Sequence, residues 1–179
     1  GSRNQRLVKS YTRRVAQINA LEPEIRQLTD AELREKSAGI RKACASGTPI
    51  VDVLPQALAV AREVMDRAVG IRNIFNPERK FDASKLPADA RTLYDQTLAA
   101  ASATPPIAVL GSGDVLIPGW MQVDVPVALY EAVRQLYPQS RPPFRARPFD
   151  VQLVGGMVRD ICYNNAARFL RLNTGKPTP

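Results

Sequence analysis

Proline placement constrains this chain more than any other feature. Most of its fifteen prolines lie between Pro77 and Pro148. A proline holds φ near about −65° and has no backbone N–H, so a stretch rich in it breaks into short elements joined by turns. Residues 1–72 carry few prolines and leave room for long helices. The expected fold class is therefore mainly α, with a helical amino-terminal unit over 1–72 and a Pro-rich α+β segment over 73–146.

Three helices are expected in the first unit. Over 4–21, Leu7, Tyr11, Val15 and Ile18 recur at helical spacing and stack on one face. Arg3, Arg6, Lys9, Arg13 and Arg14 lie mostly off that stripe. They form either a solvated basic face or a surface that meets lipid headgroups or an acidic partner. A second helix starts at Thr29, where Thr29 and Glu32 have the spacing of a capping box. Leu33, Ser37, Ile40 and Cys44 follow on one side, and Gly47 supplies the stop. The third is expected over 52–69, with Pro55 in its first turn and Leu58, Ala61, Val64, Met65 and Ala68 buried.

The Pro-rich segment should hold helices over 87–103 and 126–137, the second capped by Asp124, and a short strand at 121–125 where MQVDV alternates. Its core would rest on Leu93, Leu98, Trp120, Leu129, Val133 and Leu136. GSGD at 111–114 reads as a plain turn. Residues 147–158, RPFDVQLVGGMV, form a short apolar run closed by two glycines, and a further helix is expected within a divergent tail, 159–179.

Composition excludes several chemistries. The 179 residues contain no histidine, which removes Ser-His-Asp and Cys-His catalysis and His-ligated zinc. Cys44 and Cys162 are too few for a disulfide scaffold or a thiolate metal site and read as buried thiols. No apolar run approaches the roughly 20 residues of a membrane span. The Gly-Lys pair ending at Lys176 is followed by Pro177, so it is not the start of a phosphate-binding helix. The net charge of +8 comes without aromatic residues interleaved among the basic ones, so a nucleic-acid platform is not expected. By residue chemistry alone this is a binding or interaction module with no self-contained active site.

Three blocks carry a resemblance. INALEPEIRQLTDAELREK, then VLPQALAVAREVMDRAVGIR, then RPFDVQLVGGMV occur in the order found in the amino-terminal region of SecA, the motor ATPase of bacterial preprotein translocation. The resemblance covers about residues 4–72 and 147–158, with 73–146 as an insertion of the kind associated with planctomycete-like forms. It implies that the basic first helix docks on anionic membrane and on the protein-export channel, with Lys9, Arg13 and Arg14 as the contacting residues. It also implies that 147–158 is the adenine-recognition element. Gln152 would bond the adenine edge, and Arg147, Phe149 and Asp150 would shape the pocket. An amide suits that edge because it offers one acceptor and two donors.

ATP is the cofactor so implied, with weak or no binding in this chain, and no metal is expected. The run M-x-T-G-E-G-K-T that follows in the family is absent from these 179 residues, so the chain reads as truncated before the phosphate loop and inactive as an ATPase alone. Preprotein would be reached only through domains missing here. The implied location is cytoplasmic, at the inner-membrane periphery. A stand-alone helical module that binds an anionic membrane or an acidic partner without nucleotide is the alternative. ICYNNAARFLRL in the tail is similar to the closing helix of metal-dependent amidohydrolases, and a generic helix accounts for it better.

Overall fold

The computed structural model describes residues 3–108 and 115–153. The turn expected at 111–114 and the helix expected within 159–179 lie outside the described residues. The chain divides into two compact units, one of Gly1–Glu63 with Pro148–Pro179 and one of Val64–Arg147. The fold is mainly helical.

The first unit opens with α1, Arg3–Arg26. Val15, Ile18 and Ile25 are buried along one side. The helix was expected to end at residue 21, before Pro23, yet it runs on through that proline. Pro23 removes only the bond its N–H would give to the Asn19 carbonyl, and burying Ile25 in the following turn offsets that loss.

Helix α2, Asp30–Ala45, has the reciprocal cap its sequence announced. Thr29 Oγ1 accepts from the Glu32 N–H at 3.2 Å, and Glu32 Oε2 accepts from the Thr29 N–H at 2.7 Å. Leu33 and Ile40 are buried. The chain turns away at Gly47, whose φ of 96° would strain any residue with a Cβ.

Helix α3, Ile50–Met65, starts earlier than expected, which places Pro55 inside it rather than in the first turn. Its buried face also differs from the expected one. Val53, Leu54, Ala57, Leu58, Ala59 and Val60 are buried together with Arg62 and Glu63, whereas Met65 is 41% exposed. Periodicity arguments assign charged side chains to solvent. Here several charges are buried and partnered, and the face rotates to include them.

In the second unit the chain widens into a π-helical turn, Asp66–Gly70, and then tightens into a 3-10 turn, Ile71–Phe75. Helix α4, Ala88–Ala103, follows, then strands β1, Ile107–Ala108, and β2, Leu116–Ile117, and helix α5, Val127–Leu136. The two strands pair antiparallel, Ile107 opposite Ile117 and Ala108 opposite Leu116. The strand expected at 121–125 is not formed. The chain there leaves a 3-10 turn, Gly119–Met121, and the Gln122 and Val123 N–H groups both donate back to the Gly119 carbonyl, at 2.9 and 3.3 Å, so neither is offered to a ladder. Asp124 does not cap α5, whose N-cap is Pro126 with no side-chain bond.

The core of this unit gathers Ile71, Phe75, Tyr94, Leu129, Tyr130 and Val133, with Leu93, Leu98, Trp120 and Leu136 partly buried against it. Phe75 stacks on Tyr94 at 5.2 Å between centroids, and Phe81 meets Phe144 edge-on at 5.3 Å. The Tyr94 hydroxyl donates to the Ile74 carbonyl at 3.2 Å. Burial, with the Asp95 charge nearby, pushes its pKa up. Gly70 lets two backbones meet. A Cβ there would lie 2.5 Å from the Ala146 nitrogen.

Candidate functional site

Helix geometry sorts the basic residues of α1. With the buried stripe on Val15 and Ile18, the 100° step per residue carries Lys9 and Arg13 to the opposite side and leaves Arg14 at its flank. The exposures agree: Lys9 and Arg13 are exposed and Arg14 is half-buried. Arg6 is exposed as well. The amino-terminal half of α1 thus presents cationic side chains away from the core.

The residues expected to surround adenine fall into the two different units. Arg147 closes the second, and its carbonyl accepts from Ser140 Oγ at 2.7 Å. Phe149, Asp150 and Gln152 belong to the first. Phe149 is 52% exposed, and Gln152 is exposed too. The backbone over 149–153 forms a helical turn, with the Gln152 and Leu153 amides donating to the Phe149 carbonyl at 3.0 and 3.2 Å. Gln152 caps this turn itself, since its Oε1 accepts from the Phe149 N–H at 2.7 Å. It holds the third position of the turn, as Glu32 does in α2.

Asp150 is drawn into a closed ring of three side chains. Its Oδ1 accepts from Arg62 Nη2 at 2.8 Å and its Oδ2 from Asn19 Nδ2 at 3.0 Å, while Asn19 Oδ1 accepts from Arg62 Nη1 at 2.7 Å. Glu22 stands 3.9 Å from the same guanidinium. The Arg62 side chain is 1% exposed and Asp150 52%. A buried guanidinium requires acceptors that fit its planar fork, and the ring provides two. Its Nε is buried without a partner. Sequence reasoning missed this ring. The available signal was Arg62 itself, four residues after buried Leu58 and so on the inward side of α3.

Among the described residues, no group of three or more Cys, Asp or Glu side chains is placed to hold a metal ion, and no helix is long and apolar enough to cross a membrane.

Comparison with known proteins places the first part of the chain. Residues 1–87 match the family model of the SecA DEAD-like domain. The amino-terminal part of this chain is SecA-like. Over 73 residues it is 53% identical to the protein translocase subunit SecA of Paraburkholderia xenovorans strain LB400, a match covering 41% of this chain and 8% of that protein. The SecA subunits of Thiobacillus denitrificans and Ralstonia pickettii are each 49% identical over the same length, with the same shares covered. The match therefore spans less than a tenth of the length of these relatives. No solved structure matches the chain. The SecA-like region includes α1, Arg62 and the start of the second unit.

Proposed function

We propose that this chain is the amino-terminal element of a SecA-type preprotein motor. It docks the motor on an anionic membrane surface and on the export channel, and it contributes one wall of an adenine site. The observation that carries this reading is the arrangement of α1 in a SecA-like segment, with Lys9 and Arg13 projecting opposite the buried stripe and Arg14 beside them. Each basic residue near an anionic membrane contributes about 1 kcal/mol, so these three together strengthen attachment about a hundredfold. The site of action is the cytoplasmic face of the inner membrane.

For the adenine wall, Gln152 supplies the amide, with Phe149 available to stack and Asp150 to shape the surroundings; Arg147 belongs to the other unit and is left out of this wall. Phosphate contacts would have to come from a run absent from these 179 residues, so ATP binds weakly here and is not turned over. Preprotein is handled by other parts of such a motor.

The alternative, a stand-alone module that binds an anionic surface without nucleotide, is favoured by one observation. The Gln152 carbonyl oxygen already serves the Phe149 N–H. Equilibrium binding of a fluorescent adenine nucleotide separates the two. Binding lost in Gln152→Ala supports the adenine wall. Binding absent at millimolar nucleotide, or unchanged in Gln152→Ala, leaves the stand-alone module as the better account.

A further inference from the structure

Three separate segments meet at the Asn19–Arg62–Asp150 ring. Asn19 lies on α1, Arg62 near the end of α3, and Asp150 on the turn that presents Gln152. The ring is closed, so each member holds the other two. Asn19 also sits at the weak point of its helix, because its carbonyl loses the ladder bond that Pro23 cannot donate. The basic residue Arg13 lies six residues earlier on the same helix, about 9 Å along the axis. A helix is stiff over that distance.

We infer that the ring is a coupling element, in which Asn19 and Arg62 act as positioning residues that tie the docking helix to the Gln152 turn. This rests on the proposed adenine role of Gln152. Occupation of α1 by an anionic surface and occupation of the turn by a base then bias the same closed arrangement. Such coupling is reciprocal by thermodynamic necessity. Arg62 is the pivot because its two terminal nitrogens go to different segments. Asn19 is the reporter arm, for it touches no candidate ligand and reaches the turn only through the ring.

The test is residue-resolved hydrogen exchange on the 179-residue chain, using Asn19→Ala, Asp150→Ala and the double variant Asn19→Asp with Asp150→Asn. Arg62 is left intact, since a change at so buried a site could unfold the unit. Asn19→Ala removes two of the three ring bonds and leaves only Arg62 to Asp150, so it should raise exchange of the Gln152 and Leu153 amides about five- to tenfold. Asp150→Ala should do the same to α1 amides between Asn19 and Arg26. The double variant swaps acid and amide and keeps every ring bond available, so it should restore both segments.

Unchanged exchange in the Asn19 variant overturns the proposal, as does failure of the swap to restore it in a chain with a native circular dichroism spectrum. ATP titration of the wild type is the independent arm. If ATP leaves the Gln152 signal unmoved while the swap restores protection, the adenine reading fails and the tie between α1 and the turn stands. If ATP moves the Gln152 signal but leaves the α1 amides between Asn19 and Arg26 unmoved in the wild type, or moves those α1 amides equally in Asn19→Ala, the adenine reading stands and the coupling is overturned.

Discussion

Arg145 grips Asp66 with three hydrogen bonds, from Nε to both carboxylate oxygens at 3.0 and 3.1 Å and from Nη2 to Oδ2 at 2.9 Å. Arg134 Nε adds a longer contact of 3.5 Å, and the Ala146 N–H donates to Oδ1 at 3.0 Å. Asp66 stands near the beginning of the second unit and Arg145 near its end, so this cluster closes the unit on itself. Asp66 falls within the SecA-like residues and Arg145 beyond them. Removing the carboxylate leaves two buried guanidinium groups short of an acceptor. Asp66→Ala should therefore cost about 3–5 kcal/mol, read from the urea midpoint followed at Trp120. A loss under about 1 kcal/mol would mean that the cluster is solvated rather than structural.

Two glycines give opposite forecasts. Gly70→Ala would set its Cβ 2.5 Å from the Ala146 nitrogen and 2.8 Å from the Arg145 carbonyl carbon, and should cost about 1–3 kcal/mol through forced backbone displacement. Gly39 lies inside α2 with nothing within 4 Å of its Cβ position. Gly39→Ala should stabilise by about 0.5–1 kcal/mol. Thermal unfolding of both variants checks the pair, and a tolerated Gly70→Ala would contradict the backbone contact.

Acid should loosen the start of α2. The backbone N–H of Thr29, and then its hydroxyl, hold the Glu32 carboxyl below its ordinary value of 4.5. A depressed folded-state pKa contributes stability that is complete above the unfolded value and lost as pH falls through the folded one. Amide protection in the first turn of α2 should therefore drop below about pH 4 in the wild type and stay flatter in Glu32→Gln. Parallel losses in both proteins would assign the acid response to other carboxylates.

Residues 64–147 should fold as a separate polypeptide. Ile71, Ile74 and Phe75 from one end and Leu129, Tyr130 and Val133 from the other lie in one core. Arg72 Nη1 also donates to the Trp120 carbonyl at 3.0 Å. Cooperative unfolding reported by Trp120 is the expected result. A molten product, with helical signal but no cooperative tryptophan transition, would contradict independence of this unit.

What the sequence showed and what it hid follow a physical line. The Thr29–Glu32 box and the Gly47 stop were legible because each depends on residues three or fewer apart. The basic face of α1 was legible from helical phase alone. The buried charges in α3 and in the turn after it were not, since Arg62 and Asp66 find their partners 88 and 79 positions away, and nothing local marks them as inward. A short strand was expected at 121–125, while the two strands that form are two residues each and too short to show alternation. Gln152 was read for its amide chemistry, yet its bond to the Phe149 N–H is a local capping relation that the spacing did contain.

The central claim is that α1 docks this chain on anionic surfaces through Lys9, Arg13 and Arg14, and co-sedimentation with phosphatidylglycerol-containing and neutral vesicles tests it most directly. Replacing the three residues by Gln should weaken binding to the anionic vesicles about a hundredfold, from about 1 kcal/mol each. Raising salt from 0.1 M to 1 M, which shortens the screening length from about 10 Å to about 3 Å, should release the wild type. Equal binding to neutral vesicles, or a triple variant that binds as the wild type does, would contradict the claim.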